Sequence, residues 1–214
     1  MKSSKSNTLT IIGAGVLGQH IAHYALQTNT FTSISFIDDT CPPNTLTEYG
    51  RVIGSIEQIS QLIDLGAIKN LAIGIGYKHF ELRTTIFEKY IKKIHFPNII
   101  HPKAYIDKSV SIGSGNVILP GCIIDKNTEI FNNVFLNPGC IIAHDCSLQS
   151  HSFFGPGVKT SGFVQIGESC FLGTGTTIID NLSITRNTTI GAGSVITKNI
   201  NLPGIYKGVP AKMK

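Results

Sequence analysis

His144-Asp145 is one place where this chain could do chemistry. A neutral imidazole, with a reference pKa of about 6.5, accepts a proton near pH 7. A neighbouring carboxylate can orient that ring and stabilise its charged form. Such a pair suits a reaction that needs a base for a nucleophile's proton. A histidine in a surface turn is more often simply solvated, so the pair alone decides nothing. Among the other histidines, His20 and His23 fall on a predicted helix and His79 and His95 near element ends. His101 precedes Pro102, and His151 remains open between a solvated and a functional role.

A second candidate is Gly13-Ala14-Gly15-Val16-Leu17-Gly18, with Asp38-Asp39 beginning twenty residues past its last glycine. Glycines at a strand-to-helix turn let backbone N–H groups approach phosphate oxygens, and the acid can accept from a ribose or base. The alternative is close strand-helix packing with a solvated acid at a strand end. The elements around the motif are those it needs. Leu9–Ile12 reads as a buried strand, a helix runs to about Gln27, and Ser33–Ile37 reads as a second strand. A helix over about 55–65 leads to a third strand at Leu71–Ile73, closed by Gly74-Ile75-Gly76, and another helix covers about 80–93. The β-α-β order predicts a short parallel sheet covered by helices. Three strands are too few for a full dinucleotide domain, so a mononucleotide or nucleotide sugar is the expected ligand.

The second half has a period of six. Every sixth residue from Ile100 to Leu202 is apolar except Thr160. Four places after each comes a smaller class, as in Val110, Cys122, Thr128, Val134, Cys140, Cys146 and Ser152. Neither a helical nor a simple strand period fits this. Hexapeptide repeats build a parallel β-helix, with both classes pointing inward and stacking on their own kind. With three hexapeptides per coil, Cys122 lies under Cys140. Four of the five cysteines therefore read as reduced packing residues, and no CxxC pair occurs.

These two halves in this order resemble the bacterial nucleotide-sugar acyltransferases grouped with sialic-acid O-acetyltransferase and bacillosamine N-acetyltransferase. The likeness rests on Gly13–Gly18, Phe36-Ile37-Asp38-Asp39, Ile73-Gly74 with Arg83, the hexapeptides, His144-Asp145-Cys146 and Gly208-Val209-Pro210-Ala211-Lys212. The resemblance implies a Rossmann-like nucleotide-sugar-binding domain over 1–97 and a left-handed β-helix acyltransferase domain with a C-terminal cap over 98–214. It implies a homotrimer with acetyl-CoA in grooves between β-helices and no metal. It makes His144 the general base with Asp145 beside it, and Asn137 an acceptor-side residue. Gly13, Gly15, Asp38, Asp39 and Gly74 become nucleotide contacts, and Gly162, Thr174 and Ala192 line the CoA groove. Two departures stand out: Phe153 occupies the usual place of a second histidine facing the thioester, and Gly74-Ile75-Gly76 replaces Gly-Asn-Asn. Lys207 and Lys212 are offered to CoA phosphates, with a solvated tail as the alternative.

Composition is consistent with this and closes off other classes. Charged residues are 14% of the chain, and mean hydropathy is +0.16, which excludes a disordered solvating chain and a long coiled coil. The net charge of +5 carries no like-charge run or aromatic-interleaved basic stripe, so nucleic acid is not an expected partner. No apolar run of membrane-spanning length and no signal-type start is seen, giving a cytoplasmic expectation. The function expected is acetyl-CoA-dependent N-acetylation of a nucleotide-linked amino-deoxysugar by direct transfer. O-acetylation of a sialic-acid-like sugar is the nearest rival. A β-helix zinc hydratase using His101, His144 and His151, and a non-enzymatic scaffold, are remote ones.

Overall fold

In the computed structural model, residues 7–214 are described, and they divide into two units between Ile99 and Ile100. The first unit is a parallel sheet whose strands feed helices. In chain order it comprises β1 (Thr8–Ile12), α1 (Val16–Gln27), β2 (Ser33–Ile37), β3 (Gly50–Gly54), α2 (Ile59–Asp64), β4 (Leu71–Ile73) and α3 (Phe80–Tyr90). The sheet order is β3-β2-β1-β4, so β1, with the glycine motif at its end, is central. Ile12 pairs with Ile37 on one side and Ile73 on the other. These join Ile59, Ile86, Phe87 and Tyr90 in one core. β4 is buried throughout and reads as a continuous apolar run, while in β1 the buried Thr10 hydroxyl is satisfied by Ser35 of β2 at 2.9 Å.

Three expectations are corrected here. A fourth strand, β3, was not expected from Gly50-Arg51-Val52-Ile53-Gly54, because glycine at both ends reads as a turn. It pairs parallel to β2, and Gly50 is required there, since a Cβ would stand 2.1 Å from the Ile34 carbonyl oxygen. The helix expected over 55–65 is a 3₁₀ turn at Ile56–Gln58 followed by α2. Ser55 and Gln58 cap that turn reciprocally, which accounts for its start. The last helix ends at Tyr90 rather than near Lys93.

The second unit is a parallel β-helix. Two-residue strands recur every six residues through Val195–Ile196. Up to the last coil, each pairs in parallel with the strand eighteen residues on, as in Ile123↔Ile141, Ile141↔Lys159, Lys159↔Thr177 and Thr177↔Val195. Three faces and three turn edges result. The large inward column, from Ile118 and Ile124 to Ile190 and Ile196, is buried, and Thr160 keeps its place in it at 4% exposure.

The smaller inward class does more than fill space. Thr128 and Ser152 donate to the carbonyls of Ala143 at 3.0 Å and Gly167 at 2.9 Å. Cys122, Cys140, Cys146 and Cys170 do the same to Asn137, Gly155, Ser161 and Thr185, at 3.1–3.3 Å. Each acceptor lies fifteen residues on, in the turn of the next coil. Turn carbonyls that face a dry interior need a donor, and a hydroxyl or thiol supplies one. Burial pushes the Cys146 thiol up and the Cys170 thiol to about 11. Cys140 is raised further by the neighbouring Cys122 sulfur and by burial. Only Cys41 is partly exposed among the free cysteines. A thiol-specific disulfide reagent should therefore titrate one cysteine per native chain rapidly and all five after denaturation.

The repeat ends earlier than its sequence period implies. Ile184 pairs with Ile200 and Thr189 with Ile205, so the last coil is two residues short. Ile200, at 5% exposure, takes the core place expected for Leu202, which is 65% exposed. An antiparallel hairpin, Ile205–Gly208 with Ala211–Met213, then packs Tyr206 and Ala211 against the core. The hairpin lies over the end of the last coil, the place where a sheet edge would otherwise be left open.

Candidate active site

His144 lies in the turn between strands Ile141–Ile142 and Ser147–Leu148. The next residue, Asp145, has φ +57°, a left-handed conformation that short polar side chains tolerate. That conformation brings its carboxylate back onto the ring, with His144 Nδ1 2.8 Å from Asp145 Oδ2. Asn127, in the same turn one coil earlier, donates to the other oxygen at 3.1 Å. Hydrogen bonds from His144 and then Asn127, with Lys126 nearby, hold the Asp145 carboxyl below the usual carboxylate range. An ionised carboxylate only accepts, so in the neutral form of the ring Nδ1 carries the proton and Nε2 presents a lone pair. The side chain is 40% exposed, open enough to meet a substrate.

The coil that follows shapes the other side of the ring. A Cβ built on Gly162 would stand 2.6 Å from His144 Cε1, 2.9 Å from Nε2 and 3.1 Å from Nδ1. The imidazole thus lies directly against backbone that only glycine permits. Phe163 stands edge-on to the ring, with centroids 5.2 Å apart and planes at 88°. Its φ of +59° is unusual for a bulky residue, whereas Asn127, Asp145 and Asn181 hold the equivalent turn positions. Left-handed geometry costs about 1–2 kcal/mol in such a residue, which its contact with the imidazole helps to offset. Asn127 and Phe163 were not singled out from the sequence. The available signal was their position, eighteen residues before and after Asp145.

Other expected site residues lie elsewhere on the β-helix. Asn137 sits in a different turn edge, where its amide donates to the Phe154 carbonyl at 2.7 Å. Thr174 and Ala192 share that edge one coil apart, their backbone nitrogens 2.7 and 2.5 Å from where Cβ atoms on Gly155 and Gly173 would fall. The face carrying Ile141, Lys159 and Thr177 separates this edge from His144 within one chain. Phe153 is 6% exposed and lies parallel to Phe135, with centroids 4.6 Å apart, in an aromatic ladder continued by Phe171. His151 is buried, 3.0 Å from Asn133 and 3.7 Å from Glu168. Lys212 is exposed in the closing hairpin. Among the described residues no three His, Cys, Asp or Glu side chains gather as a metal site would require.

In the α/β unit the glycines divide between two tasks. Gly13, Gly18 and Gly74 pack against one another: a Cβ on Gly18 would fall 1.8 Å from the Gly13 carbonyl oxygen, and one on Gly74 2.7 Å from Gly18 Cα. Gly15 caps α1 and faces open space. The first turn of α1 has no acidic residue and no side-chain cap, which leaves its N-terminus able to receive an anion. The packing alternative drawn from the motif therefore holds at Gly13, Gly18 and Gly74, and Gly15 is the glycine left open. Gly18→Ala should destabilise this unit by about 2–3 kcal/mol through overpacking, visible as a lower urea midpoint, while Gly15→Ala should not.

The acids after β2 first organise loops. Asp38 Oδ2 accepts the Ala14 N–H at 2.7 Å, and Oδ1 accepts from Thr40 N at 2.7 Å, Thr40 Oγ1 at 2.6 Å and Cys41 N at 3.0 Å. Partial burial works to raise its pKa, but these hydrogen bonds outweigh it and hold the carboxyl below its ordinary value. Asp39 accepts from the Ile56 N–H at 2.8 Å. Arg83, fully buried, donates to the Ile75 carbonyl at 2.6 Å and so fixes the turn after Gly74.

Comparisons with known proteins follow this division. Residues 8–90 match the family described as PglD N-terminal domain, and residues 163–198 match bacterial transferase hexapeptide (six repeats). No curated protein matches. Solved structures similar over nearly the whole chain include the following three. PerB from Caulobacter crescentus, in complex with CoA and GDP-perosamine, is 28% identical, with 97% of each chain covered and a TM-score of 0.88. The acetyltransferase domain of PglB from Neisseria gonorrhoeae, in complex with acetyl coenzyme A, is 27% identical, covering 98% of this chain and 100% of that one, with a TM-score of 0.88. WeeI from Acinetobacter baumannii is 25% identical over the same shares, with a TM-score of 0.83. A glycine-turn α/β unit, a hexapeptide β-helix and these likenesses agree: the chain pairs a region matching the PglD N-terminal domain with bacterial transferase hexapeptide repeats, and over nearly its whole length it is similar to acetyltransferases solved with CoA or acetyl coenzyme A.

Proposed function

We propose that the protein is an acetyl-CoA-dependent N-acetyltransferase acting on the amino group of a nucleotide-linked amino-deoxysugar. The observation that carries this reading is the exposed His144–Asp145 pair, seated on Gly162, in a chain similar to enzymes solved with CoA or acetyl-CoA. The sugar amine attacks the thioester carbonyl while His144 Nε2 takes its proton. The C–N bond forms, the C–S bond breaks, and the proton passes to the departing thiolate of CoA. Asp145 stabilises the imidazolium formed on the way. Backbone N–H groups of the turn at Gly162 are the candidates for oxyanion donors. The buried cysteines accept no acyl group.

The nucleotide binds the α/β unit, its phosphates at Gly13–Gly15 and the α1 N-terminus, its ribose or base toward Asp39 and Asp38. Asn137 serves the acceptor side, and Thr174, Ala192, Lys207 and Lys212 the CoA groove. A homotrimer accounts for the separation of His144 from that groove, because one copy's histidine edge can meet the next copy's Thr174–Ala192 edge. The face between the two edges exposes Tyr105 at 60%, Ile123 at 44% and Ile141 at 37%, an apolar stripe suited to burial by a neighbour. Among the described residues no helix is long and apolar enough to cross a membrane. The reaction belongs in the cytoplasm, where both co-substrates are made.

The test is thiol release from acetyl-CoA against UDP-, dTDP- and GDP-linked amino sugars, with free nonulosonic acids as a second panel. Acetylation of a nucleotide amino sugar supports the reading. Turnover of a nonulosonic acid alone would reassign it to O-acetylation, and no thiol release with either panel would reject it. Sedimentation at three times the chain mass is expected.

A further inference from the structure

We propose that Asn127 is a positioning residue for the catalytic pair, holding Asp145 so that His144 keeps a free lone pair on Nε2. Asp145 stands on a turn edge, with 29% of its side chain exposed. A carboxylate so placed is free to rotate, and an exposed pair with one histidine holds it only weakly. Here both oxygens are engaged, Oδ2 by His144 and Oδ1 by the Asn127 amide. That second bond sets the plane of the carboxylate and keeps Oδ2 on Nδ1.

Asn127 is itself held from below. Its backbone N–H donates to Ser109 Oγ at 2.9 Å, and that hydroxyl donates to Asp107 Oδ1 at 2.6 Å. The Asp145 N–H in turn donates to the Lys126 carbonyl at 2.9 Å. Ser109, Asn127 and Asp145 occupy one turn position in three successive coils, so the eighteen-residue repeat itself builds the line of support. It stops at Phe163, the next occupant of that position, whose ring meets His144 instead. The consequence is chemical. If Asp145 turns away, the imidazole also populates the form with its proton on Nε2, which leaves no lone pair at Nε2 to receive the proton of an amine.

The direct test is nitrogen-15 NMR of histidine-labelled protein at a pH where its imidazoles are neutral. It needs no substrate, so its outcome is independent of the acetyl-transfer reading on which the kinetic arm rests. The wild type should show His144 protonated on Nδ1. Asn127→Gly, which keeps the left-handed backbone without strain, should show the two tautomers mixed. An unchanged spectrum would overturn the proposal. In turnover, Asn127→Gly should lose about tenfold in kcat with both KM values unchanged, the scale of one hydrogen bond to a charged group. In an Asp145→Ala background the same change should cost nothing further. Additive losses would mean that Asn127 acts through the fold alone, and would also overturn the proposal. Should Asn127→Gly not fold, Asn127→Asp, equal in size but without the amide donor, carries both measurements with the same expected directions.

Discussion

His144→Ala is expected to reduce kcat by about 10²–10⁴-fold, the range a positioned general base supplies, while leaving the fold intact. The loss should fall on kcat because proton removal matters as the C–N bond forms, whereas the proposed arrangement assigns the nucleotide and CoA to other residues. Stability should change little, since His144 is 40% exposed and its main contacts are Asp145, Gly162 and Phe163. Steady-state kinetics at saturating acetyl-CoA, with a thermal melt alongside, checks both halves. Wild-type kcat in a normally folded variant would remove His144 from the mechanism.

Gly162→Ala is expected to cost about 10²-fold in activity although residue 162 supplies no acid or base. The new Cβ would overlap the imidazole at 2.6 Å from Cε1 and 2.9 Å from Nε2, so the ring must swing away. Displacing a catalytic group by about 1 Å can lose that factor on geometry alone. The backbone itself is under no conformational demand, since residue 162 is not among the left-handed glycines. The variant should therefore fold, bind CoA by titration calorimetry with near wild-type affinity, and turn over slowly. Loss of CoA affinity with kcat unchanged would show that Gly162 serves the groove rather than the histidine.

Much of this architecture was legible in the residues, and the reasons differ between the halves. A six-residue period sustained for a hundred residues admits one solution, since each strand can be satisfied only by its counterpart eighteen places on. That fixes which side chains point inward, including the buried cysteines. The α/β unit offered β1 and β2 through β-branched and apolar residues interleaved with Thr or Ser, and β4 through a short apolar run. It hid β3, whose bounding glycines resemble turn residues until Ile34 is seen crowding Gly50. The slip that puts Ile200 in place of Leu202 was equally invisible, because both are large and apolar and only coil-to-coil pairing distinguishes them.

The candidate site divides in the same way. His144 beside Asp145 is a linear fact, as are the glycines after β1. The support of the pair is not linear: Asn127, Gly162 and Phe163 reach it only because coils stack, and side chains eighteen residues apart become neighbours. The acids after β2 show the converse, since a spacing that suggests a ribose contact is first used to tie the loop at Thr40 and Cys41 to the glycine turn. Sequence alone determined the repeat, the glycine turn and the residues able to move a proton, because these follow from periodicity and side-chain chemistry. Tertiary structure decided which glycine is open and which is packed, where the last coil ends, and what holds the imidazole. Those depend on distances between chain segments that no local pattern encodes.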